Sequence, residues 1–236
     1  MERNAFKLLS DMEKSWWYRG RAAAIHAGLA KCGAKRAEDV LDFGAGYGGM
    51  YKDLSRIGKN IYAYEPDAEA REAASKRGYL RALSTESEAL GRAYDLIGLF
   101  DVVEHIEHDR EFLVKAHGAL KSGGHLAITV PAFQFLWGIH DVNHHHFRRY
   151  TKASMRAVLN DAGFEVEYAS YWNMLLFIPA ALMRLLGRSG DSSLRMPRLL
   201  NAIFFAVVKI ESMLIRFISL PFGTGLLIIA RKRPQE

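Results

Sequence analysis

Short apolar runs alternate with amphipathic stretches between residues 39 and 130 of this 236-residue chain. Four runs are apolar, suit strands and end at Gly, Pro or acidic residues. They are Val40–Phe43, Asn60–Glu65, Tyr94–Phe100 and His125–Val130. The stretches between them place apolar residues at helical spacing, at Met50–Ile57, Ala68–Lys76 and Glu107–Leu120. This alternation predicts an α/β fold with a doubly wound, mostly parallel sheet and helices on both of its faces.

The flanking segments add helices and two more strands. Phe6–Lys31 is mostly helix-compatible and is predicted to lie across the sheet, and Thr151 is a predicted N-cap for a helix that ends at Gly163. Strands are then predicted at Phe164–Trp172 and Gly225–Arg233. The segment between them is far longer than a hairpin loop. It is the most apolar part of the chain and predicts a helical insertion, with helices at 173–186 and 199–220.

Composition narrows the class of protein. A single cysteine, Cys32, excludes an internal disulfide and a multi-cysteine zinc framework, so we expect a cytoplasmic protein. The first twenty residues contain no apolar stretch of signal-peptide type, so secretion is not expected. The net charge of +6 permits contact with nucleic acid or with an acidic membrane surface. No basic and aromatic platform for single strands is evident, so a nucleic-acid partner is not expected.

A glycine-rich loop follows the first predicted strand. In LDFGAGYGG, Gly44, Gly46 and Gly49 form G-x-G-x-x-G between a strand and a helix, which lets the backbone approach a ligand closely. Glu65 ends the next strand, where its carboxylate can accept hydrogen bonds from both hydroxyls of a ribose. Asp42 precedes the loop; it would repel a pyrophosphate but can hold the ammonium end of S-adenosyl-L-methionine. The pattern therefore favours a methyl donor over NAD.

VLDFGAGYG, YEPD and YDLIGLFDVVEHIEH resemble motifs of class I S-adenosylmethionine-dependent methyltransferases, in the branch that includes the ubiquinone-type O-methyltransferases. The resemblance implies a seven-stranded sheet whose last strand is antiparallel. From its length, we expect the chain to be a single domain, made of a helical segment (1–35), a Rossmann-like core (36–172 and 223–233) and a helical lid or membrane-interface insertion (173–222). The expected cofactor-binding residues are Asp42, Gly44, Ala45, Gly46, Glu65, Pro66, Asp67, Ser84, Thr85, Phe100, Asp101 and Val102.

Two further segments concern the cofactor site. LSTES replaces the acidic residue that often follows the third strand in this family, which leaves Glu86 as a candidate for that role. SWWYRGR resembles the N-terminal segment of glycan-associated methyltransferases. This resemblance implies that Trp17, Tyr18 and Arg21 close over the cofactor, although core packing explains the tryptophan equally well.

FDVVEHIEHD ends the fourth predicted strand at the carboxyl edge of the sheet, where open α/β sheets bind ligands. Glu104 and His105 are expected there, over the methyl group. Neutral histidine is the usual base near neutral pH, so His105 is a candidate catalytic residue, with helix capping as the alternative. His108 and Asp109 are interpreted as solvated helix residues.

GIHDVNHHHFRRYT leaves the same edge after the next strand. Carboxylate plus imidazole suits zinc or iron, but the consecutive His144, His145 and His146 are poorly arranged to converge on one ion, so no metal is expected. The segment resembles a W-x-x-H-D-x-x-x-x-H-x-R-R-Y-T pattern of bacterial methyltransferases associated with surface glycans and lipid-linked substrates. That resemblance implies His140 or His146 as base or acceptor-orienting group. It implies substrate contacts from Trp137, Asp141, Arg148, Arg149 and Tyr150.

An Asp–His–Arg network that only locks this loop is the alternative, and His144 and His145 lie outside the pattern.

In the insertion, LLNAIFFAVVKIESMLIRFISLPFG is long enough to span a membrane, but Lys209, Glu211 and Arg216 would each cost roughly 2.5–3.5 kcal/mol near the centre. Lys209 and Arg216 share one stripe with Ser212 and Ser219. An amphipathic helix on a membrane, or a lid over an apolar acceptor, is therefore predicted, with a helical pair packed on its own domain or in a homodimer as the alternative.

The sequence thus predicts a methyltransferase that acts on an oxygen of an amphipathic or lipid-linked acceptor, in the cytoplasm at the inner membrane surface. One alternative is a soluble small-molecule methyltransferase with a hydrophobic lid. Another is a protein that binds or modifies nucleic acid.

Overall fold

The computed structural model describes residues 13–34, 36–185 and 197–233. Residues 1–12 and Lys35 of the predicted N-terminal segment, residues 186–196 of the insertion and residues 234–236 lie outside the described residues. The strands are β1 (Ala37–Phe43), β2 (Gly58–Tyr64), β3 (Arg81–Leu83), β4 (Tyr94–Phe100), β5 (Leu120–Pro131), β6 (Phe164–Trp172) and β7 (Gly225–Lys232). The described helices are α1 (Trp16–Lys31), α2 (Tyr51–Leu54), α3 (Ala68–Ser75), α4 (Glu86–Leu90), α5 (Asp109–Gly118), α6 (Ile139–Asn143), α7 (Lys152–Asp161), α8 (Phe177–Leu185) and α9 (Arg198–Ile215).

The seven strands form one sheet in the order β3-β2-β1-β4-β5-β7-β6. The pairs from β3 to β5 are parallel, whereas β7 lies between β5 and β6 and is antiparallel to both. Side chains such as Leu41, Ile97 and Ile228 are fully buried. The strands read as continuous apolar runs because helices cover both faces of the sheet. The predicted fold class, including the antiparallel last strand and the helical insertion, is confirmed.

One face of the sheet is covered by α1, which is itself covered by α9. A Cβ added at Gly28 would lie 2.9 Å from Leu227 Cδ2, and one added at Gly20 would lie 2.5 Å from Val208 Cγ1. These two glycines therefore let α1 approach both the sheet and α9 closely. The described part of the predicted N-terminal helix lies across the sheet, as expected.

The insertion leaves and re-enters the sheet at adjacent positions. Trp172 pairs with Gly225, and Asn173 Nδ2 donates to Thr224 Oγ1 at 2.7 Å. The first helix of the insertion, α8, begins later than the sequence suggests. The preceding N–H groups of Met174 and Leu175 donate instead to the buried Glu211 of α9, at 2.7 and 3.0 Å.

Candidate active site

The glycine loop joins β1 to α2 in a backbone conformation that requires glycine. Gly44, Gly46 and Gly48 have φ angles of 74°, 54° and 81°, in the left-handed region. The N–H groups of Gly44 and Ala45 both donate to the carbonyl of Tyr64 at 2.9 Å, which ties the loop to the end of β2. Among the residues that the structure describes, the space beside Gly46 is open, since an added Cβ would meet none of their atoms within 4 Å.

Two acidic residues border this loop. The Glu65 carboxylate accepts from the N–H groups of Gly46 (2.8 Å) and Asp67 (3.0 Å), so it lies at the mouth of the loop. Asp42 is buried beneath the loop and accepts from the Tyr79 hydroxyl at 2.5 Å. Burial raises the pKa of Asp42 to about 6, although the hydrogen bond from Tyr79 opposes this rise. Above pH 6, therefore, Asp42 is mainly ionised and able to attract a cation.

Arg21 of α1 forms an ion pair with Asp101, which follows β4 and has a φ of 59°. The Arg21 guanidinium lies 4.9 Å from the centre of the Trp17 ring and 4.6 Å from that of Tyr18. Burial opposes its charge, but the ion pair raises the pKa of Arg21 and keeps it cationic. Thr129 also donates to Asp101, at 3.2 Å. Arg21 thus joins α1 to the end of β4, a role that the sequence suggested only through SWWYRGR.

The other predicted cofactor-binding residues lie at the same edge of the sheet, because the carboxyl ends of β1, β2, β3 and β4 are adjacent. They include Phe100, which is buried at the end of β4, and Val102, whose Cγ2 would lie 2.7 Å from a Cβ at Gly44. Pro66 follows Glu65, Asp67 caps α3, Ser84 follows β3, and Thr85 caps α4. Glu86 is ion-paired with Lys115 at 2.8 Å.

A cluster of imidazoles forms where the residues after β4 meet the loop after β5. The ring centre of His105 lies 4.6 Å from that of His146, and the ring centres of His140 and His144 are 4.2 Å apart. The His146 ring lies 6.0 Å from His140 and 6.1 Å from His144. The N–H of Phe147 donates to the Glu104 carbonyl at 2.7 Å and fastens the two segments together. His144, outside the sequence pattern, therefore belongs to the cluster.

Asp141 organises the loop from a fully buried position. Its Oδ1 lies 2.9 Å from His146 Nδ1 and accepts from Arg149 Nε at 2.9 Å. Its Oδ2 accepts from Arg149 Nη2 and from the Gly138 N–H, both at 2.9 Å. Burial opposes ionisation, but the hydrogen bonds from His146 and Arg149 hold the pKa of Asp141 well below its usual range. For Asp141 and Arg149, this geometry favours the loop-locking alternative over substrate contact.

The remaining predicted substrate residues differ in exposure. Trp137 and Arg148 are partly exposed, whereas Tyr150 is buried and donates to Asp109 at 2.7 Å. Arg148 also pairs with Asp109, at 3.0 Å. The interpretation of Asp109 as a solvated helix residue is wrong. Asp109 is buried at the start of α5, where Arg148 and Tyr150 from the loop after β5 contact its carboxylate.

Glu104 is almost fully buried beside the histidines, and its Oε2 has no hydrogen-bond partner within the described part of the chain. Burial, together with the nearby Asp101, raises the pKa of Glu104 well above its usual range. Glu104, His105 and His146 each offer a ligand atom, and these atoms lie within 4.8 Å of one another. This trio has the composition of a zinc or iron site, with Asp141 behind His146 as an outer partner. The absence of a metal therefore stays a prediction.

The fold and the glycine loop define the class of the protein, a Rossmann-like enzyme that binds an adenosyl cofactor at the strand ends. A family model described as "Methyltransferase domain" matches residues 16–169, well over half of the chain. The chain belongs to this family. It is a methyltransferase, and the predicted enzyme class is confirmed.

Two curated relatives are similar to part of the chain. The mitochondrial ubiquinone biosynthesis O-methyltransferase of Schizosaccharomyces pombe is 24% identical over 142 residues, which are 51% of this chain and 52% of that protein. The corresponding Mus musculus protein is 29% identical over 120 residues, 46% of this chain and 31% of that protein. The chain thus matches about half of the first relative and less of the second.

Solved structures share the fold at low sequence identity. One is a chain from the complex between the Haloferax volcanii Trm112 methyltransferase activator and a methyltransferase, with a TM-score of 0.62 and 18% identity. The match covers 99% of this chain and 98% of that one. Another is the N-methyltransferase NodS of Bradyrhizobium japonicum in complex with S-adenosyl-L-homocysteine, with a TM-score of 0.57 and 13% identity. That match covers 92% of this chain and 88% of the other.

Proposed function

We propose that this methyltransferase transfers the methyl group to an oxygen of an amphipathic or lipid-linked acceptor. The observation on which the proposal rests is the Asp141–His146 pair, set against His105 where the residues after β4 meet the loop after β5. The names of the two curated relatives, both ubiquinone biosynthesis O-methyltransferases, support an oxygen acceptor with an apolar part.

The residues around the glycine loop suit the cofactor. The open space beside Gly46 leaves room for a ligand next to the Glu65 carboxylate, which can accept hydrogen bonds from ribose hydroxyls. Asp42 supplies a negative charge for the ammonium group, and the Arg21–Asp101 pair closes the site from α1. When bound, S-adenosylmethionine supplies a methyl group already activated by a sulfonium. The protein then has to align the acceptor and remove its proton.

His146 is the proposed proton acceptor. Its Nδ1 is held by Asp141, which leaves Nε2 for the acceptor hydroxyl and stabilises the imidazolium that forms. Partial burial, together with His146, lowers the pKa of His105. His105 therefore stays neutral at neutral pH and does not repel the protonated His146. His140, Trp137 and Arg148 are the proposed acceptor-orienting residues, while Asp141, Arg149 and Tyr150 hold the loop.

An aromatic cluster beside the histidine loop supports an acceptor with an apolar part. The ring centre of Phe133 lies 4.7 Å from Tyr171, 5.3 Å from Phe135 and 5.9 Å from Phe177 of α8. Phe135 is 60% exposed, so the cluster offers aromatic surface to a ligand. The Phe133 N–H donates to the carbonyl of Tyr150 at 2.9 Å, which joins this surface to the histidine loop.

The proposal is tested with two acceptors that share a phenolic ring, one with an isoprenoid tail and one without, by measuring release of S-adenosylhomocysteine. We expect turnover with the tailed acceptor, and His146→Ala is expected to lower kcat by about 10²-fold or more with little change in cofactor affinity. His145→Asn is the matched control, since His145 is exposed and asparagine tolerates its φ of 55°.

The proposed acceptor, the proposed base and the assigned cofactor site can each be contradicted by a separate result. Equal turnover of the tail-less acceptor would favour the soluble small-molecule alternative with a hydrophobic lid. Unchanged kcat in His146→Ala would remove this residue as the base. Calorimetry that detected no binding of S-adenosylhomocysteine would contradict the assigned cofactor site.

A further inference from the structure

The outward face of α9 is apolar along its whole length. Successive apolar residues on this face are four, seven and three positions apart, which is the spacing of one stripe along a helix. They are Leu199, Ile203, Ile210 and Met213. They are 73%, 47%, 59% and 59% exposed, and Phe217, just beyond the helix, continues the stripe at 78%. Isolated exposed apolar residues are ordinary, but a contiguous stripe of five marks an interaction surface.

The opposite face of α9 fixes this orientation. Val208 and Ile215 are buried against the core, and Asn201 Oδ1 accepts from the Trp16 N–H at 2.6 Å. At the other end, Lys31 Nζ donates to the carbonyls of Arg216 and Phe217 at 3.2 and 3.0 Å. Both ends of α9 are thus fastened to α1. The apolar stripe therefore points away from the protein because its opposite face is already used.

Charge decides which partner suits the stripe. Arg198, Lys209 and Arg216 are exposed and share one side of α9, because eleven and eighteen residues correspond to about three and five turns. The structure describes residues 173–185 and 197–222 of the insertion. Within these two ranges, Glu211 is the one acidic residue, and its side chain is fully buried. An apolar stripe bordered by cations, without an exposed carboxylate in those two ranges, complements an anionic lipid surface.

Two alternatives to a helix lying on the membrane surface are a transmembrane helix and a dimer formed through α9. Within the described residues, no helix combines the length and the apolar character needed to cross a bilayer. Two copies of the chain paired through antiparallel α9 helices, about a two-fold axis perpendicular to them, would put the cations of both copies on the same edge of the interface. A helix lying flat on the surface has neither difficulty.

We propose that α9 docks the protein on an anionic membrane surface, with the stripe of Leu199, Ile203, Ile210, Met213 and Phe217 buried at the level of the lipid head groups. Gly20 of α1 packs against Val208 of α9, and the next residue, Arg21, forms the ion pair at the cofactor site, so α1 connects the docked helix to that site. The inference goes beyond the proposed reaction, because a membrane-bound methyltransferase can act on a soluble or a lipid-linked acceptor.

Flotation with phosphatidylcholine vesicles, with and without phosphatidylglycerol, tests the proposal. We expect the full chain to float with the anionic vesicles and less so as salt rises. Ile210→Ser/Phe217→Ser is expected to lower the partition coefficient by about tenfold or more, because two large apolar side chains no longer enter the bilayer. The matched control is Leu80→Ser/Val114→Ser, which alters two side chains that are 57% and 50% exposed elsewhere.

A second pair of variants separates the apolar and electrostatic contributions. Lys209→Gln/Arg216→Gln is expected to reduce the preference for anionic over neutral vesicles while leaving the apolar stripe in place. Calorimetric binding of S-adenosylhomocysteine by every variant serves as the folding control, and it also keeps this test separate from that of the proposed reaction.

Three results would overturn the proposal: no flotation with either vesicle, equal flotation of Ile210→Ser/Phe217→Ser and the parent chain, or loss of flotation in the control variant. Sedimentation that shows a dimer in the parent chain and a monomer in Ile210→Ser/Phe217→Ser, without vesicle binding, would assign the stripe to a second copy instead.

Discussion

Replacing Arg149 by methionine tests whether the Asp141 network locks the histidine loop. The Arg149 side chain is buried and donates twice to Asp141 and once to the carbonyl of Ala132, at 2.9, 2.9 and 3.1 Å. Methionine retains much of the side-chain volume but removes all three donors. Asp141 is then left fully buried with His146 and the Gly138 N–H as its hydrogen-bond partners among those described here.

The expected cost is large because the substitution removes the guanidinium that neutralises the buried carboxylate of Asp141. Removing one member of a buried ion pair typically costs about 3–5 kcal/mol, out of a total unfolding free energy of roughly 5–15 kcal/mol. Removing both charges in Arg149→Met/Asp141→Leu leaves no unpaired charge. We therefore expect the double variant to recover much of the stability lost in Arg149→Met, so that the two substitutions are strongly non-additive.

Urea unfolding followed by tryptophan fluorescence measures both effects, provided that the slope of the transition is unchanged. Arg233→Met is the control, because both members of the Arg233–Glu165 pair are exposed and the pair is expected to contribute about 1 kcal/mol or less. A loss below about 1 kcal/mol in Arg149→Met, or additive losses in the double variant, would refute the locking role. A raised KM with unchanged stability would instead assign the guanidinium to the substrate.

Three further predictions concern protonation and metals. Burial lowers the pKa of His105 below its usual value of about 6.5, and a cationic His105 would oppose proton transfer to His146. We therefore expect kcat to fall as the pH is lowered from about 7 to about 5, and a pH-independent kcat over this range would contradict the proposal. Affinity for S-adenosylmethionine is expected to fall as Asp42 is protonated below about pH 6. Tyr79→Phe, which removes a hydrogen bond that lowers this pKa, should move the fall to higher pH in calorimetric titrations. Dialysis against a chelator is expected to leave turnover unchanged, because the proposed proton acceptor is an imidazole; a loss restored by zinc would make Glu104, His105 and His146 a metal site.

The fold was predictable because its signals are local. The apolar runs at 40–43, 94–100 and 125–130 all lie within strands of the sheet, and the glycine loop falls where the strand–turn–helix pattern puts it. No bounds were predicted for the third strand, Arg81–Leu83, or for the five-residue α4, since runs this short show no periodicity. The start of α8 was placed too early, because Glu211 lies 36 and 37 residues along the chain from the N–H groups that it holds.

The candidate site was less predictable, because distant contacts assemble it. Arg21 and Asp101 are 80 residues apart, and no local pattern pairs them. Asp109 looked solvated because its partners, Arg148 and Tyr150, come from another loop. The clustering of His144 did have a readable signal. It follows His140 by four residues, and in the short α6 turn this spacing puts both rings on one face.

Because the two ends of the insertion are adjacent, its length can change during evolution without a change in the sheet. Because Trp172 and Gly225 are paired neighbours, residues added or removed between Asn173 and Thr224 leave the strand register untouched. The chain-entropy cost of such changes is small, about 0.6 kcal/mol for each doubling of loop length. A methyltransferase built in this way can acquire a new docking or acceptor surface by exchanging one segment, while the part of the cofactor site that lies at the ends of β1, β2 and β4 is inherited intact.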